Sequence, residues 1–552
     1  MSPYDTYTSP LAARNASEAM LRLWSPRHKF NTWRRIWLAV AEAQHEITRD
    51  QPTPLVTKEQ VEELRAVVTR PGGITDEEMK AAEKYERDLR HDVMAHVHAL
   101  GDRCPKAKGI IHLGMTSQDV VCNADFVVLY QSVDMIRSKV ARLVSSLGDQ
   151  AVRHSHVPAL GFTHYQPAQP VTVGRRAALW ASDVRLTLER LDGLHPYHGA
   201  LIGSLYGIMR PRGFRGATGT QASFLSLFNE HVRVEAFERA ALERAMDGLL
   251  PSFERNLCVP PGEVEDYPAG ISEPHARIPG DDNPFGTEVQ FDFSMLTGQT
   301  YPRVIDTFIL ADLASTAAVL HKIATDIRLL CNRKEIDEPF EDKQIGSSAM
   351  PYKRNPMRCE RICGLTRFVM NLVGNAYDTA ATQWLERTLD DSSNRRLSLP
   401  EAFLALDGAL DLMHNVASGL IVHEAMVRKN LMAELPFMAT ENILMACVKL
   451  GGDRQHYHEL IRVHAQAAGM RVKQEGLDND LLERLRTDKA FWGKARGGPL
   501  AAELDWDNLM DPMKYIGRSV EQTERFIKDV VEPLREQYKD QLAALDESGP
   551  RV

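Results

Sequence analysis

Residues Arg303–Cys331, RVIDTFILADLASTAAVLHKIATDIRLLC, decide the fold. Ile309, Leu313, Leu320, Ile323, Ile327 and Leu330 recur at spacings of three, four or seven, which marks one face of an α-helix. Pro302, just before the run, suits a first helical turn. A helix over 303–331 spans roughly 43 Å at 1.5 Å per residue. Similar patterns run over about 119–149, 171–195, 357–380 and 397–419, and strand-like alternation is scarce. Helices of this length pack at shallow angles as bundles, often across subunits. The expectation is an all-α protein in three parts: an N-terminal helical domain over 1–115, a central long-helix bundle over 116–422 and a C-terminal helical domain over 423–552.

Two segments break the helical period. Residues 246–296 are rich in Pro, Gly and acidic side chains (VPPGEVEDYPAG, IPGDDNPFG) and read as a long loop or insertion. A shorter irregular piece, HPYHGALIGSLYGIMRPRG, covers 195–213.

The bulk numbers narrow the function. A chain of 552 residues exceeds one simple core, so two to four structural units are expected. Its 43% apolar and 26% charged content is ordinary for a globular protein. A net charge of −9 argues against nucleic acid as a partner, and requires a local cluster of arginines to meet any anionic substrate. Seven scattered cysteines without a CxxC pair give neither a disulfide framework nor a zinc site. The first residues, MSPYDTYTSPLAARN, have no apolar leader pattern, and no stretch of about 18 uncharged apolar residues exists, so a cytoplasmic protein without a membrane partner is expected.

Chemistry concentrates in a few strings. In GSSAMPYKRNP, Gly346–Pro356, a glycine and two prolines keep the run out of a helix interior, while Ser347, Ser348, Lys353 and Asn355 are presented together. Such groups suit abstraction of a proton beside a carboxylate and stabilisation of the resulting charge. In THYQPAQP, Thr163–Pro170, His164 occupies a polar, proline-bounded turn, and an imidazole with an ordinary pKa near ~6.5 gives or takes a proton at neutral pH. TSQDV, Thr116–Val120, reads either as a helix cap with Asp119 in the first turn or as a carboxylate site built from hydroxyls and helix-end amides.

In RHDVMAHVH, His91 and His98 are seven apart and are expected on one helical face. No carboxylate completes a ligand set, so no metal is expected, and Arg90 with His91 reads better as a substrate-contacting pair. ERTLDDSSNRR, Glu386–Arg396, places Arg387, Ser392 and Arg396 in a polar turn, which suits a phosphate cradle or a solvated helix end. TGQTY, Thr297–Tyr301, offers Gln299 near the start of a long helix.

The order TSQDV, THYQPAQP, GSSAMPYKRNP resembles the three signature regions of the fumarase/aspartase superfamily. RHDVMAHVH, KGIIHLG, GATGTQASF, TGQTY, QWLERTLDDSSNRR and ELPFMATENI are similar to the adenylosuccinate lyase family of animals and fungi, over nearly the whole chain outside the two irregular segments. Argininosuccinate lyases resemble the signature loop but lack the Arg-rich block.

The resemblance implies a homotetramer whose core is a bundle of long helices, with each active site assembled from three subunits. It implies small-molecule nucleotide substrates, release of fumarate, and no metal or organic cofactor. It implies Ser347 as general base, His164 as general acid, Ser348 as second loop candidate, and Lys353 with Asn355 as charge stabilisers. Thr116, Ser117 and Gln299 would hold the succinyl carboxylates. His91, counted with the catalytic residues, would support His164 or touch substrate. Arg90, Asp92, Thr163 and Arg361 would face substrate, and Arg14, Arg387, Ser392 and Arg396 would hold the nucleotide phosphate, with Asn15 a further substrate-binding position. Asn15 stands where the family usually has tyrosine. A different superfamily lyase, or a non-catalytic protein on the same scaffold, are the alternative readings. The insertions remain open as a peripheral loop, an error in the coding sequence or an interaction element.

Overall fold

The computed structural model describes residues 5–194, 208–247, 294, 296–341, 344–346, 348–350, 352–489, 491, 494–495, 498–499 and 504–545. Ser347, most of 195–213 and nearly all of 246–296 therefore lie outside the described residues.

Helices dominate, as expected. The deciding stretch forms the helix Val304–Asn332, and all six residues of its apolar stripe are buried. This helix is long and apolar enough to cross a membrane, yet half of its most apolar window is packed inside the protein, as in a core helix. The other long helices are Pro26–Thr48, Ser117–Arg153, Val173–Leu194, Met357–Ala381 and Asp390–Ser418. At 37 residues, Ser117–Arg153 extends roughly 55 Å.

The last of these begins about two turns earlier than the expected 397. Asp390 and Asp391 occupy its first turn, where carboxylates favour a helix N-terminus. Pro400 sits inside it, leaving the Arg396 carbonyl without its usual i+4 donor. Ser392 and Arg396 are thus helical residues, and the polar turn ends before them.

Packing divides the chain into two compact units, each of discontinuous segments. One contains Met1–Arg137, Arg190–Ala314 and Asn371–Ala405; the other contains Ser138–Glu189, Ser315–Met370 and Leu406–Val552. In the first, Pro26–Thr48 starts with Ser25 accepting from the His28 amide and Pro26 in its first turn, and it buries Trp33, Ile36 and Trp37. Helix Asp76–Leu89 has a Thr75/Glu78 capping box. Glu78 is itself buried and accepts from Arg34 Nη1 at 2.9 Å, so the cap also anchors an internal ion pair.

In the second unit, strands Pro158–Thr163 and Gln166–Thr172 form an antiparallel hairpin. Gly161 lies at its bulge, where a Cβ would sit 2.3 Å from the Gln169 carbonyl oxygen. Helical periodicity does not reveal the hairpin, because two prolines and two glutamines in its second strand hide the alternation. Further along, Ile443, Cys447, Tyr457, Ile461, Leu481, Leu485 and Phe491 form a core of their own.

Candidate active site

Three backbone segments meet in the first unit because glycines let them approach. A Cβ on Gly219 would collide with the Thr297 carbonyl, and one on Gly298 would lie 2.6 Å from the Glu386 carbonyl. The Gln299 amide N–H donates to the Glu386 carbonyl at 3.1 Å, and its side-chain Nε2 donates to the Ala217 carbonyl at 3.0 Å. Its Oε1 accepts from Arg387 Nη1 at 3.0 Å. GATGTQ, TGQ and ERT are thereby tied into one cluster, and Gln299 is held by two segments at once.

Asp119 is the anchor beneath that cluster, and sequence reasoning missed this role. It is fully buried and ion-paired with Arg212. Its Oδ2 accepts from the Thr116 amide at 2.7 Å, and Oδ1 accepts from the amides of Arg215 and Gly216 at 2.8 and 3.1 Å. Arg212 donates onward to the carbonyls of Gly216 and Gly298 at 2.7 and 3.0 Å. Asp119 lies in the first turn of its helix, as expected; there it accepts from the Thr116 amide and also fixes the distant segment that holds Gln299.

Thr116 and Ser117 stand half-buried at the start of this helix, and Ser117 Oγ lies 3.4 Å from His91 Nε2. The expected sharing of one helical face by His91 and His98 is corrected here. His91 is extended (φ −148°) and precedes helix Asp92–Gly101 as its N-cap, with Nδ1 accepting from the Met94 amide at 3.3 Å. Arg90 before it adopts the left-handed conformation (φ 55°) that ends the preceding helix. This break leaves His91 outside the helix that carries His98, beside Ser117.

A cavity of about 210 Å³ opens beside these residues. Arg387, Ser392 and Arg396, the expected phosphate cradle, all line it. So do Lys29, Arg303 and Arg395, which sequence reasoning did not select. Most of these cations are already partnered. Arg303 pairs with buried Asp391 at 2.7 Å, and Arg387 reaches the same carboxylate at 3.3 Å. Arg395 pairs with Asp306 at 2.6 Å and Asp125 at 3.0 Å. Arg396 donates to Asp92 at 2.8 Å while remaining 57% exposed. Burial pushes the Asp92 carboxyl up, but the Arg396 charge, the Val93 amide and Lys29 outweigh it and hold its pKa below the ordinary value.

Lys29 differs from its neighbours. Among the described residues no carboxylate comes within ion-pair distance of it, and its ammonium lies over the Trp33 ring at 4.8 Å and the Phe30 ring at 5.3 Å. Burial, then the Arg396 charge, pull its pKa down against the attraction of Asp125, Asp92 and Glu86.

Arg14 and Asn15 lie in a short helical turn, Leu11–Asn15. Arg14 is exposed, and Asn15 Nδ2 donates to the Pro10 carbonyl at 3.0 Å. Neither lines the cavity.

The remaining site residues belong to the second unit. His164 and Tyr165 are the two-residue hairpin turn, both with positive φ (52° and 57°), the geometry of a type I′ turn. His164 is exposed at the tip, with Thr163 beside it. In the signature loop, the Asn355 side-chain N–H donates to the Gly346 carbonyl at 2.8 Å, and a Cβ on Gly346 would lie 2.2 Å from the Lys353 carbonyl oxygen. Glycine is needed there because two strands of the loop touch. Ser348 and Lys353 are exposed, and Arg361 is half-buried on the helix that follows. No hydrogen bond joins His164 to the loop among the described residues.

Comparison with known proteins gives the following. A model described as "Adenylosuccinate lyase C-terminus" matches residues 436–526, and one described as "Lyase" matches 16–209 and 303–371. The chain is 44% identical over 536 residues to adenylosuccinate lyase of Schizosaccharomyces pombe, covering 97% of each. It is 42% identical over 551 residues to that of Saccharomyces cerevisiae, covering 99% of this chain and 100% of the relative. It is 39% identical to that of Schistosoma mansoni, covering 98% of each. Among solved structures, 3-carboxy-cis,cis-muconate lactonizing enzyme from Pseudomonas putida superposes with a TM-score of 0.72 at 22% identity, covering 96% of this chain and 99% of that one. A fumarate lyase from Mesorhizobium gives 0.68 at 20%, covering 95% and 99%. These structural likenesses establish the helical fold.

Proposed function

The chain belongs to the adenylosuccinate lyase family, and on that premise we propose that it cleaves adenylosuccinate to AMP and fumarate. By the same elimination it cleaves the succinylated aminoimidazole carboxamide ribotide of purine synthesis. The chain is a carbon–nitrogen lyase. Within it, the observation that carries the assignment of groups is the convergence of Arg387, Ser392 and Arg396 on one cationic cavity.

In the reaction, Ser347 removes the proton beside the succinyl carboxylate. The electron pair moves onto that carboxylate, giving a dianionic aci-carboxylate. Lys353 and Asn355 stabilise it, the lysine by charge and the asparagine by the N–H not held by Gly346. The pair then returns to form the fumarate double bond as the C–N bond breaks, and His164 delivers a proton to the departing nitrogen. His164 suits this role because its turn leaves the imidazole exposed. A serine needs a positive setting to act as base, which Lys353 supplies.

Thr116, Ser117, Thr163 and Gln299 orient the succinyl group, and Arg90, His91, Asp92, Ser348 and Arg361 line its approach. Arg387, Ser392 and Arg396 bind the phosphate, with Arg14 and Asn15 as outer contacts. Binding the distant phosphate positions the reacting end.

The assembly proposed is a homotetramer with sites shared between subunits. Support comes from apolar side chains that the long helices leave in water, among them Leu186, Phe368, Tyr377 and Leu397. Division into N-terminal, central and C-terminal parts near 115 and 422 completes the proposal; the separate C-terminal family match over 436–526 supports the boundary near 422. A cytoplasmic location, with no nucleic-acid or membrane partner, completes the reading.

The test is ultraviolet-monitored cleavage of adenylosuccinate by the purified protein, beside Ser347→Ala. Turnover by the parent and its loss in the variant are expected. A folded tetramer that binds AMP but never releases fumarate overturns the reading.

A further inference from the structure

We propose that Lys29 is a phosphate-binding residue of the cavity, acting beside Ser392 and Arg396; this deepens the nucleotide reading above and rests on it. The argument is one of charge balance. Asp391 neutralises Arg303 and is shared with Arg387, Asp306 and Asp125 neutralise Arg395, and Asp92 neutralises Arg396. Pairs of this kind are occupied before any ligand arrives. Lys29 lines the same cavity with no carboxylate in ion-pair reach among the described residues. An ammonium kept partly out of water and beside Arg396 is held at a cost, which a phosphate carrying about −1.5 to −2 charge relieves.

Two further observations fit a built position. The Lys29 ammonium rests over Trp33 and Phe30, so its location is set by packing. Trp33 is fully buried and cannot shift to follow a flexible side chain. The residue lies in an ordinary amphipathic helix, which explains why no motif reveals it.

The test uses the full-length protein, Lys29→Met, which keeps the apolar stem, and Lys29→Arg, which keeps the charge. Calorimetric binding of AMP and of inorganic phosphate is measured alongside adenylosuccinate kinetics. Loss of one charge-assisted contact weakens both affinities and raises KM roughly tenfold to a hundredfold in Lys29→Met. The kcat changes by less than about threefold on the same argument, and Lys29→Arg recovers most of the loss. A folded Lys29→Met with unchanged AMP and phosphate affinity overturns the proposal, as does a parent that binds neither. A parent that binds AMP but does not turn over adenylosuccinate defeats the lyase reading alone, because the binding arm still judges Lys29.

Discussion

The cationic cavity of the first unit and the signature loop with the His164 turn in the second handle polar groups in opposite ways. In the cavity, Arg303, Arg387 and Arg395 are tied to buried carboxylates before substrate arrives. In the loop and turn, Ser348, Lys353 and His164 are exposed, and the fixed element is backbone: the Asn355 contact to Gly346 and the I′ turn. On the reading proposed above, a phosphate would meet arginines whose geometry is already set by their carboxylates, with Lys29 as the added charge. His164 and Lys353, proposed above for proton transfer and charge stabilisation, have no side-chain partner among the described residues, so substrate would supply the interactions that tune them.

The sharpest break would be a kinetic one. His164→Gln should lower kcat by about 10²–10⁴ with little change in KM, as expected for a lost general acid. Arg396→Ala should raise KM roughly tenfold to a hundredfold and spare kcat. Steady-state kinetics on both variants decide it; a shared effect on one parameter would dissolve the contrast.

Asp391→Ala should show how strongly the cavity depends on its counter-charges. It strands Arg303 and Arg387 in a buried setting and should destabilise the fold by about 3–5 kcal/mol, read by chemical denaturation. A neutral result would mean the arginines find other partners.

A smaller effect is expected from Gly346→Ala. The new methyl meets the Lys353 carbonyl oxygen at 2.2 Å, so the loop must open. The kcat should fall by about tenfold to a hundredfold, in keeping with a small misplacement of catalytic groups. Thermal stability should barely move, since the loop is mostly exposed. An unfolded variant would show the loop to be structural.

The smallest effect concerns pH. Burial lowers the pKa of both His96 and His112 to about 4. The unfolded chain takes up these protons near pH 6.5 and the folded chain only near 4. Their contribution is therefore present above pH 6.5 and lost as pH falls toward 4. Each should cost on the order of 1–2 kcal/mol at pH 5, measured by urea unfolding at pH 7.5 and 5. His112→Asn should flatten part of that slope.

Particular residues show what was legible. The stripe from Ile309 to Leu330 was readable because a buried helix face repeats locally, and its burial follows the pattern residue by residue. That Arg387, Ser392 and Arg396 come together at one cavity was readable because they lie within one short string. The place of Asp119 in a first helical turn was readable, but its bond to the 212–216 segment was not, since its partner Arg212 is 93 residues away. His91 was misplaced on a helical face because a single left-handed residue, Arg90, decides where one helix stops and the next begins.

The sequence by itself determined the helical class, the family and the chemical groups on offer, because periodicity and motif are written in neighbouring residues. The tertiary structure alone decided which cations are paired with carboxylates, that Lys29 has none within ion-pair distance among the described residues, and why Gly219, Gly298 and Gly346 must be glycine. Charge balance and close approach depend on partners brought together from far along the chain, and no local pattern records them.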